Sequence, residues 1–162
     1  MRYLIKPEPG FSFSSLDYKS QEIFVAAALS EDLAMMEVAE SADPYIRMAQ
    51  WAKMAPEGAT KESHGEVRSQ FKALTLGTNY GMGVQKLSDK LGCSLYHARR
   101  LQEFHRRKFS TYWEWVRREE SHGLLYNQLE SNFGWKLHLV DSVSWDDDGG
   151  RYSYREPNLQ AL

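Results

Sequence analysis

Arg68-Ser-Gln-Phe-Lys72-Ala-Leu-Thr-Leu76-Gly77-Thr-Asn-Tyr80-Gly81 sets Arg, Lys, an apolar residue and Tyr four residues apart. On an α-helix each step of four advances about 6 Å and drifts about 40° around the axis, so the four side chains form one stripe. The stripe runs from cationic to aromatic. That order suits a ligand with several negative charges at one end and a flat ring at the other, such as a nucleoside triphosphate. The alternative is a half-buried helix whose Leu76 and Tyr80 pack inward while Arg68 and Lys72 are solvated.

Upstream, Leu16-Asp17-Tyr18-Lys19-Ser20-Gln21-Glu22-Ile23 follows a β-like run, Phe11-Ser-Phe13-Ser-Ser15, and precedes Ala-rich Phe24 to Leu29, which reads as a buried helix. Together the two segments resemble polymerase motifs A and B of family A DNA polymerases. The first motif in that family is Asp-Tyr or Asp-Trp, two variable residues, then Gln or a hydrophobic residue followed by Glu. The second is Arg, three residues, Lys, three residues, an aromatic-Gly pair, then Tyr-Gly. Both fit here without an internal gap and in the right order.

Further segments extend the resemblance over nearly the whole chain. Residues Arg2 to Gly10 look like the hairpin leading into motif A, and Asp43-Pro44-Tyr45 sits where the family often has Asp-Pro-His. Ser131-Asn-Phe133-Gly134-Trp135 looks like its Thr-x-Phe-Gly segment. Ser153 to Ala161 resembles the stretch ending in Asn-x-Pro-x-Gln, with Glu156 and Asn158 where Asn and Pro are expected and Gln160 in place.

The chain has 162 residues, 42% of them hydrophobic, enough for one sizeable core in one domain or two closely joined lobes. One cysteine, Cys93, excludes an internal disulfide framework and fits a reducing cytoplasm, bacterial or phage-infected by the resemblance. No apolar run approaches the roughly 18 residues of a membrane span, so no membrane partner is expected. Net charge is −2. Its distribution says more: acidic residues gather in Glu31 to Glu40 and Asp146 to Asp148. Arg99-Arg100, Arg106-Arg107-Lys108 and Arg117-Arg118 make the middle basic. Such a stripe could follow a phosphate backbone or be the solvated face of two surface helices.

The expected fold is α+β and mostly α, a helical fingers lobe on a small antiparallel β palm fragment. Residues 1–42 would be a partial palm with motif A, 43–126 the fingers with motif B, and 127–162 a β-hairpin returning to the palm. Asp43-Pro44 predicts an N-cap with proline at the first helical position, opening a helix through about Lys53. Helix B should start near Ser63 and end before Gly81. A short helix over Val84 to Leu91 is closed by Gly92, Ser94 caps a helix to about Phe109, and Ser110 or Thr111 opens another through Glu120. His122-Gly123 then reads as a break. Leu129 to Leu139 alternates as a hairpin does. The acidic run Asp146 to Gly150 reads as a solvated turn, its spacing being wrong for a calcium loop.

The resemblance implies a DNA-directed DNA polymerase acting on dNTPs and primer-template DNA. Asp17 would be catalytic, bridging two Mg²⁺ ions with the backbone carbonyl of Tyr18 as a further ligand. One metal activates the primer hydroxyl and the other stabilises pyrophosphate. Glu22 would select deoxynucleotides, Arg68 and Lys72 would bind the β- and γ-phosphates, and Tyr80 would sit under the base pair. Gln21 and Tyr45 complete the nucleotide set, with Tyr45 in place of the family's His and Leu76 in place of its Phe or Tyr. Gly81, Arg99, Arg100 and Gln160 would meet DNA. The family's second metal carboxylate lies in a later His-Asp-Glu hairpin, and Asp141 and Asp146 to Asp148 are in the wrong context to replace it. The chain therefore reads as an incomplete polymerase unable to extend a primer alone, with a separate polypeptide carrying that motif as a further partner. Two alternatives are a binding remnant without turnover and a regulator built on Leu87 to Arg100, whose Leu-x3-Leu-Gly-x-Ser rhythm is that of a helix-turn-helix.

Overall fold

The computed structural model describes residues 6–139 and the strand backbones of 142–145 and 152–155. Residues 1–5, Asp141, the acidic run 146–150 and the closing segment with Glu156, Asn158 and Gln160 lie outside the described residues. The chain is α+β and mostly α. Its helices are α1 Gln21–Ser30, α2 Leu33–Glu40, α3 Pro44–Trp51, α4 Gly65–Asn79, α5 Val84–Leu91, α6 Leu95–Lys108 and α7 Ser110–Tyr126. Strands β1 Gln128–Glu130 and β2 Lys136–His138 pair antiparallel, with Leu129 opposite Leu137. Strands β3 Ser142–Trp145 and β4 Tyr152–Arg155 form a second antiparallel pair, Val143 opposite Tyr154. Among the described residues no helix is long and apolar enough to cross a membrane.

Local chemistry sets most helix ends. Asp43 caps α3 and Pro44 occupies its first turn, where a missing N–H is harmless. The helix stops at Trp51, two residues short of Lys53, because Lys53 itself takes the left-handed conformation (φ 59°). Ser94 accepts from the His97 N–H to open α6, and Gly92 (φ 62°) closes α5. Helix α4 begins at Gly65 because Thr60 and Ser63 first bond to each other's backbone N–H in a turn.

One core joins all seven helices. Ile23 and Ala27 of α1 and Met35, Val38 and Ala39 of α2 meet Tyr45, Met48 and Ala49 of α3 and Phe71 and Leu74 of α4. Leu87, Ala98, Leu101, Phe109, Tyr112 and Trp113 close it from the other side. Each large side chain fully buried here contributes about 1.5–3 kcal/mol. Phe71 meets Phe104 edge-on at 6.4 Å. The regulator reading loses its free-standing unit, since Leu87 of α5 and Ala98 of α6 belong to this shared core.

Three expectations need correction, and one stretch with no expected element is helical. The run Phe11 to Ser15 is irregular, with Phe11 74% and Phe13 64% exposed, because no described strand lies beside it to complete its ladder. Helix α1 is buried only along Ile23, Ala27 and Ser30, a narrow stripe, while Phe24, Val25 and Leu29 face outward. The acidic stretch 31–40, read from the sequence only for its charge, contains α2, capped by buried Asp32. Finally, α7 runs past Glu120 to Tyr126. Gly123 sits inside it, where a Cβ would stand 2.9 Å from Leu129 Cδ2, so its bareness admits the β1–β2 hairpin rather than ending the helix.

Candidate functional site

Helix α4 divides cleanly by face. Phe71, Leu74, Thr75 and Thr78 are buried, whereas Lys72 is exposed, Tyr80 is 55% exposed, and Arg68 and Leu76 are half-buried. The Arg68 to Tyr80 stripe therefore lies on the outer side of a helix anchored by its opposite side. Inward packing of Tyr80 is excluded, and Leu76 sits at the boundary. Lys72 enters no ion pair among the described residues.

Arg68 is held from behind. Its Nε donates to Asp43 Oδ2 at 2.5 Å, and its guanidinium carbon lies 5.2 Å from the centre of the Tyr45 ring. Asp43 Oδ1 meanwhile accepts the Tyr45 and Ile46 N–H groups. The Tyr45 phenol is pushed above its ordinary range, first by burial and then by the negative field of Glu22. The Ser20 hydroxyl and the Arg68 guanidinium pull it the other way. Ser20, Glu22, Asp43, Tyr45 and Arg68 thus form one cluster in which the start of α1, the start of α3 and the cationic end of the α4 stripe converge. Glu22 also stands in the first turn of α1, where a carboxylate complements the helix dipole.

The aromatic end is shaped by glycine. Gly81 (φ 70°) donates to the Thr78 carbonyl and Met82 to that of Gly77, turning the chain sharply from α4 toward α5. Gly77 faces Met82 closely: a Cβ there would meet Met82 Sδ at 3.0 Å, so any side chain would require Met82 to shift.

The remaining residues scatter. Asp17 and Tyr18 lie exposed in the irregular segment before α1, which Lys19 ties down by donating to the Ala42 carbonyl. Gln21 lines an apolar hollow of about 370 Å³ with Tyr18, Lys19, Phe24 and Val25. Arg99 and Arg100 are exposed on α6. Among the described residues no group of three His, Cys, Asp or Glu side chains gathers to hold a metal. One exposed carboxylate does not suffice for two divalent cations, so the described donors do not fit a two-metal site by themselves.

Sequence reasoning missed the partner of Arg68. Asp43 is recognisable as a cap, but nothing in its neighbourhood points 25 residues ahead. It also missed Thr78 Oγ1 and Asn79 Oδ1, buried at the end of α4 without hydrogen-bond partners among the described residues.

Residues 1–145 match the family model for DNA polymerase family A. The chain is 33% identical over 94 residues to DNA polymerase theta of Drosophila melanogaster, covering 56% of this chain and 4% of that protein. It is 32% identical over 96 residues to the DNA polymerase of Mycobacterium phage L5, 59% of this chain and 14% of that one. With the thermostable DNA polymerase I of Thermus thermophilus it shares 27% over 135 residues, 83% of this chain and 16% of the relative. A solved structure, the POL domain of Pol1 from M. smegmatis in complex with DNA primer-template and dNTP, superposes with a TM-score of 0.66 at 18% identity. That match covers 90% of this chain and 24% of that one, and it shows a shared fold. The chain spans less than a fifth of the length of each of these curated relatives.

Proposed function

The chain belongs to DNA polymerase family A, and from that premise we propose that it serves template-directed transfer of deoxynucleotides to a primer 3′-hydroxyl, with α4 as its nucleotide-binding helix. The observation that carries this reading is the outward stripe whose cationic end is already organised by Asp43 and Tyr45.

Lys72 meets the triphosphate as a mobile point charge. Arg68 is different, because Asp43 occupies its Nε and leaves the two terminal amino groups to donate to phosphate oxygens in a fixed plane. Leu76 offers an apolar edge to the sugar or base, and Tyr80 with Gly81 supports the base pair. Glu22, whose negative field reaches Tyr45, is the carboxylate that this reading assigns to excluding a ribose 2′-hydroxyl. Gln21 reaches the minor groove, and Arg99, Arg100 and Gln160 meet the DNA backbone. The fingers of this reading are residues 43–126, between the palm portions 1–42 and 127–162.

Asp17 and the Tyr18 carbonyl are the ligands this chain offers to Mg²⁺, whose chemistry when bound is to activate the primer hydroxyl and neutralise the triphosphate. The described donors fall short of holding two ions, and the nucleotide-binding part of the reading stands without them.

Calorimetric titration of the chain with Mg–dNTP tests the proposal. Lys72→Ala removes one charge-assisted hydrogen bond worth about 1.5–3 kcal/mol, a loss of roughly tenfold or more in affinity. Unchanged affinity would leave α4 a solvated helix face. Tight binding of ribonucleotides and deoxynucleotides alike, unmoved by Glu22→Ala, would remove Glu22 from the site.

A further inference from the structure

The starts of α1 and α3 are fastened together, and Tyr45 stands at the join. Lys19, two residues before α1, donates to the Ala42 carbonyl, two residues before α3. Ser20 does not cap α1 with its side chain, and its hydroxyl acts on the Tyr45 phenol. Its backbone is left-handed (φ 53°), a conformation that a non-glycine residue keeps where its surroundings fix it. Glu22, in the first turn of α1, lies near enough for its negative field to reach the same phenol.

The ring of Tyr45 serves a different partner. Arg68 lies over it, with the guanidinium carbon 5.2 Å from the ring centre. Asp43 closes the unit, since Oδ1 accepts the Tyr45 N–H at 3.1 Å while Oδ2 accepts from Arg68 Nε. Arg68 is thus held by a flat surface beneath it and a carboxylate at its edge. Lys72, one turn further on, has neither.

A hydroxyl that binds phosphate must reach the ligand. Tyr45 is only 4% exposed, with Arg68 on its ring and the start of α1 at its phenol. We propose that Tyr45 is a positioning residue that touches no part of the nucleotide: its ring sets the plane of Arg68 at the phosphate end of the site, and its hydroxyl holds the start of α1, and with it Glu22, at the sugar end. The inference rests on the nucleotide-binding reading of α4 and changes the role of Tyr45 within it. At the position where the related polymerases often carry a histidine, this chain carries a buried brace between two recognition elements. Phosphate binding and sugar selection then depend on one side chain, and its two ends can be removed separately.

Calorimetric titration of the full chain with Mg–tripolyphosphate, Mg–dATP and Mg–ATP distinguishes the ends, because tripolyphosphate has neither sugar nor base. Tyr45→Phe keeps the ring and loses the hydroxyl. It should bind tripolyphosphate as the unaltered chain does and lower the preference for dATP over ATP by about twofold to tenfold, the worth of one neutral hydrogen bond. Tyr45→Leu loses the ring as well, and tripolyphosphate affinity should fall by about twofold to fivefold, the worth of a cation–π contact near the surface. In an Arg68→Gln chain the same Tyr45→Leu change should cost nothing further, because a positioning residue acts only through the group it positions. Weaker tripolyphosphate binding by Tyr45→Phe, or additive losses from Tyr45→Leu and Arg68→Gln, would make Tyr45 a phosphate ligand and overturn the proposal. A dATP preference unmoved by Tyr45→Phe would overturn its sugar end. Tyr45→Phe preserves the buried ring, so it decides the matter even where the leucine variant does not fold. Lys72→Ala separates this inference from the reading beneath it. If that variant weakens nucleotide binding while the Tyr45 variants depart from these expectations, the positioning role fails alone. If it leaves nucleotide affinity unchanged, the nucleotide site fails and the positioning role fails with it.

Discussion

Asp43 and Arg68 are joined across 25 residues by one carboxylate that serves two helices. Oδ1 accepts the Tyr45 and Ile46 N–H groups at the start of α3, at 3.1 and 3.3 Å, and Oδ2 receives Arg68 Nε of α4. The docking of α3 on α4 and the aim of a candidate phosphate-binding arginine are therefore one structural fact. Asp43→Asn keeps an oxygen for the cap and loses the charge, whereas Asp43→Ala loses both. The alanine variant should be destabilised by about 1–3 kcal/mol and the asparagine variant by less, in urea unfolding followed by tryptophan fluorescence. Equal midpoints for all three proteins would show that the carboxylate holds nothing.

Leu76 occupies the boundary of the outward face, with room on its solvent side. Leu76→Phe places a ring where an incoming base would lie in the proposed site, and stacking of about 1–3 kcal/mol per base should tighten dNTP binding by roughly fivefold to a hundredfold. No gain in a dNTP titration, with stability unchanged, would move the base away from this position.

Asp32 is buried and divided in the same way as Asp43. Oδ1 accepts Met35 N–H at 2.9 Å to start α2, and Oδ2 accepts Tyr112 N–H at 3.0 Å in the first turn of α7. Asp32→Ala removes a cap and orphans a buried N–H, so the loss should reach about 2–4 kcal/mol by chemical denaturation. A loss under about 1 kcal/mol would mean that water takes over both bonds.

His105 is fully buried, and its Nδ1 accepts the Trp113 Nε1–H at 3.3 Å, which leaves the proton on Nε2. Burial, reinforced by Arg106, lowers its pKa from 6.5 to about 3. The unfolded chain takes up this proton first, so the stability contributed by neutral His105 is complete above about pH 6.5 and is lost as pH falls toward 3, by up to about 1.4 kcal/mol per unit. Urea midpoints measured from pH 7 to 4.5 should fall more steeply for the unaltered protein than for His105→Gln. Parallel curves would assign the acid sensitivity to other groups.

Much of the architecture was legible because helix punctuation acts within a turn. Asp43-Pro44, Gly92 and Ser94 each set an end through their own backbone or the next few N–H groups, and the structure places those ends where the residues predict. The four-residue stripe on α4 was equally readable, being a consequence of 3.6 residues per turn. The β-like run at 11–15 misled because alternation describes a strand only when another strand pairs with it. Gly123 misled because its role is set by Leu129 and Leu139, which pack on it from the hairpin.

The sequence by itself determined the helices, the outward spacing of Arg68, Lys72, Leu76 and Tyr80, and membership of a polymerase family through two ordered motifs. Tertiary structure decided which charges remain available. Asp43 takes Arg68 Nε and Trp51 takes Lys108, while Lys72 and the α6 arginines stay open to solvent. Such pairings depend on which helix faces meet around the core. That outcome depends on the burial of Phe71, Leu87, Phe109 and their neighbours together, and no local window of sequence contains it.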